Sequence, residues 1–330
     1  MPGNTLTQLR IALTTFFALD GFIFADWVVR IPAIKEQTGA SATTLGLALL
    51  GVSAGAVITM MLTGRLCRRY GNHQVTVACA VLLSLSIALG AGLGGLVAGT
   101  LSPTQHLLGL AGIGLLVTAL ACRSLLRLQP PAPPESAPRD KPAQHRLSPR
   151  TRGLVITFGL IALCTAYGEG ALADWGALHL EQDLHATPGV AAVGYSCFAL
   201  AMTIGRLTGT QLLERLGQTR TLVVGGTTAA LGMLLAALAP ALWVALLGFV
   251  ITGLGLANLF PVAVERAGAL AGPDGVAIAS TLGYGGMLLG PPAIGFMADW
   301  FSLPTALTSV AALAAAAVAI AFTTRRAAAH

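Results

Sequence analysis

Ala25-Asp26-Trp27 returns in this chain as Ala173-Asp174-Trp175. After the first copy come Thr63-Gly64-Arg65-Leu66 and Arg68-Arg69-Tyr70-Gly71. After the second come Ile204-Gly205-Arg206-Leu207 and Glu214-Arg215-Leu216-Gly217. The intervals differ but the order is kept, and each set brackets a pair of apolar segments. The chain therefore reads as two related halves, an internal symmetry that membrane proteins with a site between repeated bundles share.

Composition sets the solvent. The 330 residues are 55% hydrophobic and 10% charged. No soluble domain of this size hides that much apolar surface, so the bilayer is part of the solvent. Forty glycines suit helices that approach closely in lipid. Five cysteines stand singly, with no CxxC pair, and read as small buried hydrophobes rather than a disulfide frame or metal site. No stretch interleaves basic and aromatic residues as a nucleic-acid surface does. No phosphate-binding Gly-Lys-Ser/Thr loop is present, and no nucleophile–base set points to an enzyme. No cofactor is implied.

A span requires about 20 mainly apolar residues. Ten segments qualify, near residues 9–29, 44–64, 75–99, 105–123, 153–175, 188–212, 221–239, 241–262, 276–298 and 303–323. The expected fold is an all-α membrane bundle of ten helices, four plus six. Residues 1–123 form the N-terminal half and 153–330 the C-terminal half. Residues 124–152, with Gln129-Pro130-Pro131-Ala132-Pro133-Pro134 and a basic tract, form an extended linker. The first span contains Asp20 and Asp26, has no small-residue cleavage site after a short apolar core, and reads as retained.

Charge orients the spans. With both termini in the cytoplasm, seventeen of the nineteen Lys and Arg residues, Arg206 among them, fall on the inner face, while Arg30 and Lys35 fall outside. Glu181, Asp183 and Asp299 also fall outside. This asymmetry explains the net charge of +6 without an acidic partner.

Acids inside spans are costly and mark candidate sites. Asp20 lies mid-span six residues before its Ala-Asp-Trp, and Glu169, within Tyr167-Gly168-Glu169-Gly170, lies five before its own. Taking a carboxyl out of water favours its neutral form, which is the chemistry of proton coupling. The alternative role for both is a hydrogen-bonded carboxyl that fixes packing. Asn258, Tyr195 and Tyr284 line a cavity or bond to neighbouring carbonyls. Asp26 and Arg30, four apart, can pair on one helix face. Asp26, Trp27, Arg30, Asp174 and Trp175 read as an outer rim, with both tryptophans in the interfacial aromatic belt. A third Ala298-Asp299-Trp300 lacks the downstream context and reads as coincidence. Arg68, Arg69, Gly71, Glu214, Arg215 and Gly217 occupy short inner loops, where the glycines permit tight turns and the arginines can cap helix ends or latch a gate. Pro261 and Gly290-Pro291-Pro292 are expected to bend or break their helices. The histidines fall in loops, the linker, the terminus or at span edges, as His106 does.

These residues resemble the major facilitator superfamily. Gly64-x-x-x-Arg68-Arg69-x-Gly71 is similar to that family's loop motif between its second and third helices, and Thr210-x-x-x-Glu214-Arg215-x-Gly217 is its counterpart in the second half. More narrowly, three stretches look like a branch of bacterial inner-membrane permeases. They are Ala25-Asp26-Trp27 with Arg30-Ile31-Pro32-Ala33-Ile34, Glu169-Gly170 with Ala173-Asp174-Trp175, and Thr281-Leu282-Gly283-Tyr284 with Gly290-Pro291-Pro292. The resemblance implies six helices per half. This chain has four in its first half, as if the family's fourth helix and parts of its third and fifth were missing. At the position of Arg68 the family usually has an aspartate. The resemblance implies a bacterial inner-membrane permease moving a small organic solute by alternating access, coupled to protons through Glu169 and Asp20. A neutral or cationic solute suits a cavity with acids and no intramembrane cation. The alternative implied by the short half is a non-transporting membrane protein, interacting or regulatory, or an inactive remnant.

Overall fold

The computed structural model describes residues 30–51 and 148–324, together with Val28, Arg69, Tyr70, Gln74 and Leu116. Asp20, Asp26, Trp27, Arg68 and Gly71 lie outside the described residues, as does most of the linker. The chain divides into two compact units, one of residues 1–30 with 56–145 and one of residues 31–55 with 146–330. Among the described residues every regular element is helical.

The second unit opens with α1 (31–38) and α2 (Ala42–Gly51). It continues with α3 (Pro149–Gln182), α4 (Pro188–Leu207), α5 (Gly209–Leu216), α6 (Gln218–Ala237), α7 (Leu242–Leu256), α8 (Leu259–Trp300) and α9 (Leu303–Thr324). Local chemistry sets several boundaries. The Thr151 backbone N–H donates to Ser148 Oγ at the start of α3, with Pro149 in the first turn, where its missing N–H costs nothing. Ser302 Oγ accepts from the Thr305 N–H at the start of α9. Gly217, at φ 75°, makes the tight turn expected between α5 and α6.

Five stretches are long and apolar enough to cross a membrane. One of them, Leu242–Trp300, has 59 residues. A straight helix of that length would be about 88 Å long, roughly three times the hydrocarbon core. The backbone leaves helical geometry at Ala271 and at Gly272, which takes φ 58°, ahead of Pro273. The chain reverses there. The Phe260 and Tyr284 rings, equally far from the turn on either side, meet edge to face at 6.3 Å between centroids. On one straight helix they would lie about 36 Å apart. The stretch thus folds into two limbs that pack against each other.

Helix pairs are held by small residues. Gly159 faces Leu282, Gly286 faces Leu163 and Gly290 faces Tyr167, so α3 and the second limb of α8 run parallel. Gly194 faces Phe249, Gly253 faces Phe198 and Gly205 faces Ala257, so α4 and α7 are also parallel. By contrast α6 and α7 are antiparallel, with Gly248 against Ala236, Gly232 against Thr252 and Gly255 against Ala229. A Cβ on Gly248 would lie 2.6 Å from the Ala236 backbone nitrogen, so the two backbones are in contact. These directions match the alternation expected of successive crossings. They also gather Arg150, Arg215, Arg220 and Arg266 at one end, the arginine end. Asp183, Trp243 and Asp299 gather at the other, the tryptophan end.

Two expectations about prolines change. The break near Pro261 falls at Ala257 and Asn258, and Pro261 sits in the first turn of α8, where its missing N–H is no loss. The backbone stays helical through Pro291 and Pro292. Both are buried, and α2 lies against them with Gly46 facing the Pro291 carbonyl. The same contact gives Asp299 a role that its reading as a coincidence missed. Its carboxylate accepts from the Ala42 N–H at 3.0 Å and the Thr43 N–H at 2.7 Å, capping α2 from a helix far along the chain.

Candidate functional site

The site is built where α4 passes the middle of α3. Leu180 of α3 lies against Gly194 of α4 near the tryptophan end. Counting inward along both helices from that contact brings Glu169 level with Arg206. Arg206 Nη2 donates to Glu169 Oε1 at 3.2 Å and Oε2 at 3.3 Å. Among the described residues this is the one ion pair between different spans. One nitrogen straddles both oxygens, so the pair lacks the two parallel bonds of a guanidinium fork. The Glu169 side chain is 19% exposed and that of Arg206 49%, so the guanidinium reaches from the acid toward open space.

Arg206 had been assigned to the inner face by charge counting, and its depth corrects that. It also corrects the expectation of a cavity without a cation. The cause is the length of the segment. The chain continues from α4 through Thr208 into α5 as far as Leu216, so Arg206 is well short of the arginine end.

The guanidinium is positioned from behind. Arg206 Nε donates to the Ala257 carbonyl at 3.4 Å, and Asn258 Nδ2 donates to the Gly205 carbonyl at 2.9 Å. These bonds tie α4 to the break between α7 and α8. Gly209 makes this possible, because a Cβ there would overlap Asn258 Oδ1. Asn258, 8% exposed, is thus bonded to a backbone carbonyl.

Asp174 and Tyr195 extend the cluster. Tyr195 lies within electrostatic reach of Glu169, Asp174 and Arg206, and its ring centroid is 6.2 Å from that of Phe198, tilted by 39°. Asp174, half-buried, has no hydrogen-bond or ion-pair partner among the described residues. Tyr167, beside Glu169 in sequence, shares a hydrogen bond of 2.9 Å with Ser309 of α9. Tyr284 is 37% exposed and packs on Phe260, away from this constellation in sequence and in its contacts.

Trp175 is not in an interfacial belt. It is fully buried inside the unit, and its Nε1 has no partner among the described residues. It follows Asp174 on α3, which runs on to Gln182. Trp243 and Trp300 are 78% and 74% exposed. His179 also departs from expectation. It is buried on α3, with Asp183 Oδ2 2.8 Å from Nδ1 and the Ala236 carbonyl 3.1 Å from Nε2.

The loop candidates are spread apart. Glu214 and Arg215 are exposed on α5 with no partner among the described residues. The nearby links are Gln218 to Glu265 at 3.0 Å and Arg266 over the Phe158 ring at 5.9 Å. In the first unit, Arg69 lies over the ring of Tyr70 at 5.4 Å. Arg30 is half-buried. Among the described residues no group of three His, Cys, Asp or Glu side chains could hold a metal ion.

Comparison with known proteins places this architecture. Residues 158–330 match the family described as "Major Facilitator Superfamily". An uncharacterized MFS-type transporter of Yersinia pestis is 28% identical, with 94% of each chain covered. That alignment runs to 373 positions against 330 residues here, so the relative carries segments with no counterpart in this chain. An uncharacterized transporter of Sinorhizobium fredii is 30% identical over 86% of this chain and 89% of its own. The crystal structure of the nucleoside transporter NupG superposes with a TM-score of 0.68 at 13% identity, covering 96% of this chain and 99% of that one. At that identity the likeness is one of fold.

Proposed function

The chain belongs to the major facilitator superfamily, and from that premise we propose that it moves a small organic solute by alternating access, coupled to protons at Glu169. It is a multi-pass membrane protein of transporter type with bacterial relatives. The observation that carries the finer reading is the Glu169–Arg206 pair. A carboxylate held by a half-exposed guanidinium is neutral as a pair. Protonation of Glu169 frees Arg206, and deprotonation recaptures it. Two charge states thus correspond to two arrangements of α4 against α3, which is what coupling a proton to a conformational change requires.

The solute class follows from the local charge. Arg206 is balanced by Glu169, and Asp174 remains as the unpaired acid of the cluster. A neutral or cationic solute suits that balance. Asp20 is the proposed counterpart of Glu169 in the first half, and Glu214 and Arg215 remain the candidates for a loop contact that changes between states. The arginine end faces the cytoplasm under the positive-inside rule, with both termini on that side.

The test is flux in proteoliposomes against a panel of sugars, amines and toxic organic compounds, with the full chain and Glu169→Gln. Proton-driven accumulation should collapse in the variant while solute exchange at equal pH survives. Accumulation that is unchanged removes Glu169 from the coupling role. A second reading has its own observation, the segments present in the Yersinia relative and missing here. Folded protein that binds no member of the panel and carries no flux would favour a non-transporting membrane protein.

A further inference from the structure

Helices α1 and α2 precede the linker, in the first half of the chain, yet residues 31–55 group with residues 146–330. The segments on either side of them, 1–30 and 56–145, belong to the other unit. This stretch is therefore continuous at both ends with one unit while its helices lie on the other. Helix α2 runs antiparallel to the second limb of α8. From the tryptophan end inward, Asp299 holds Ala42 and Thr43, Gly295 faces the Ala42 carbonyl, and Gly46 faces the Pro291 carbonyl. A Cβ on Gly295 would lie 3.4 Å from the Gly46 Cα, so backbone meets backbone at the crossing.

The start of α2 is capped twice, and the two caps differ in kind. Ser41 is the local cap. Its Oγ accepts from the Thr44 N–H at 3.1 Å, and its carbonyl accepts from the Leu45 N–H at 3.0 Å. That cap travels with the helix. The Ala42 and Thr43 N–H groups are left over, and these are the two that Asp299 accepts, at 3.0 and 2.7 Å. A helix that caps itself does not need Asp299 in order to form. What the distant carboxylate adds is attachment, a negative charge on the positive end of a helix from the opposite half. Asp299 is exposed, so on separation water can replace these bonds. A like charge opposes the attachment, because Glu36 on α1 is close enough to Glu181 on α3 to act on it.

Resting on the alternating-access reading, we propose that α1 and α2 form a strap at the tryptophan end, which Asp299 fastens and which lets go when that end opens. Both ends of the strap continue into the other unit, so movement of the first half against the second pulls on it. The contacts with α8 are those of the fastened state. Loss of Asp299 shifts the balance toward the released one, and loss of the charge on Glu36 shifts it back.

The experiment is pulsed electron–electron double resonance on the full chain in nanodiscs, and it needs no solute. The native cysteines are replaced, and spin labels are placed at Gln37 of α1 and Trp243 of α7, both exposed. Wild type should show two distances, one fastened and one released. Asp299→Ala should raise the ratio of released to fastened about tenfold, the effect of losing hydrogen bonds to a charged group. Glu36→Gln should lower it about twofold, the effect of relieving one exposed like-charge contact. Glu36 is exposed, so this second variant stands if Asp299→Ala does not fold. One distance that is unchanged or merely broadened in Asp299→Ala makes Asp299 a static cap and overturns the proposal. A Glu36→Gln ratio that stays or moves toward release overturns it too. Flux in proteoliposomes separates the two readings. A shift in distances without flux keeps the strap and removes transport, and flux with one fixed distance removes the strap alone.

Discussion

The Glu169–Arg206 pair can be weighed by a double-mutant cycle that needs no knowledge of the solute. The perturbations are Glu169→Gln, Arg206→Gln and both together. Fully exposed pairs contribute about 0.2–1 kcal/mol. Breaking a buried pair costs about 3–5 kcal/mol, mostly because one charge is left stranded. This pair lies between those limits, with one side 19% and the other 49% exposed. Contact through a single Nη2 at 3.2 and 3.3 Å is weaker than a fork. The half-exposed guanidinium is screened by water, so the coupling energy should be about 1–2 kcal/mol rather than the buried-pair figure. The single variants should be unequal. Glu169→Gln strands an arginine that already reaches water and should cost about 1 kcal/mol. Arg206→Gln strands a carboxylate with little exposure and also removes the bond to the Ala257 carbonyl, so about 2–3 kcal/mol is expected. The assay is reversible chemical unfolding of the full chain in mixed micelles. A coupling energy indistinguishable from zero would refute the pairing. A larger loss from Glu169→Gln than from Arg206→Gln would refute the assignment of the acid as the buried partner.

Two further outcomes test the supports of the site and of the second unit. Gly209→Ala puts a methyl where Asn258 Oδ1 lies, so the bond from Asn258 to Gly205 must break or α4 must shift; a loss of about 1–3 kcal/mol is expected by the same unfolding assay, and Gly217→Ala, strained for another reason, is not expected to disturb Arg206. Asp299→Ala removes both acceptors from the start of α2, costing about 1–2 kcal/mol locally, read as faster proteolysis at 39–44 with no change at the end of α9.

Much of the architecture is legible in the sequence because length and hydropathy are direct statements about the bilayer. Apolar runs separated by charge mark the long apolar helices found after residue 148, and glycine at 217 marks a turn that requires positive φ. What sequence alone could not give is which residues share a depth. Trp175 follows an aspartate near an expected span end, so it reads as a rim residue, yet its side chain is fully buried by the helices packed around α3. Asp299 follows its alanine by chance as far as the repeat is concerned, but its partner lies at Ala42 and Thr43, beyond any local pattern. His179 sits four residues before Asp183, a spacing that could have signalled a helix-face pair. The Ala236 carbonyl that fixes its tautomer could not have been read from the chain.

Arg206 shows why depth is the hard quantity. The positive-inside rule counts an arginine by its nearness to a span boundary, and by that measure Arg206 belongs with its neighbours at the arginine end. Its depth is decided instead by register, from the contact of Gly194 with Leu180 onward, and by the passage of α4 into α5. A charge inside a bundle needs a partner at the same level, and Glu169 is the acid that register brings there. The sequence contained both halves of the pair and a reason to expect each to be costly. Joining them takes one interhelical contact, after which the acid and the base constrain each other. A one-turn slide of α4 along α3 would move Arg206 by about 5.4 Å, enough to break its contact with Glu169.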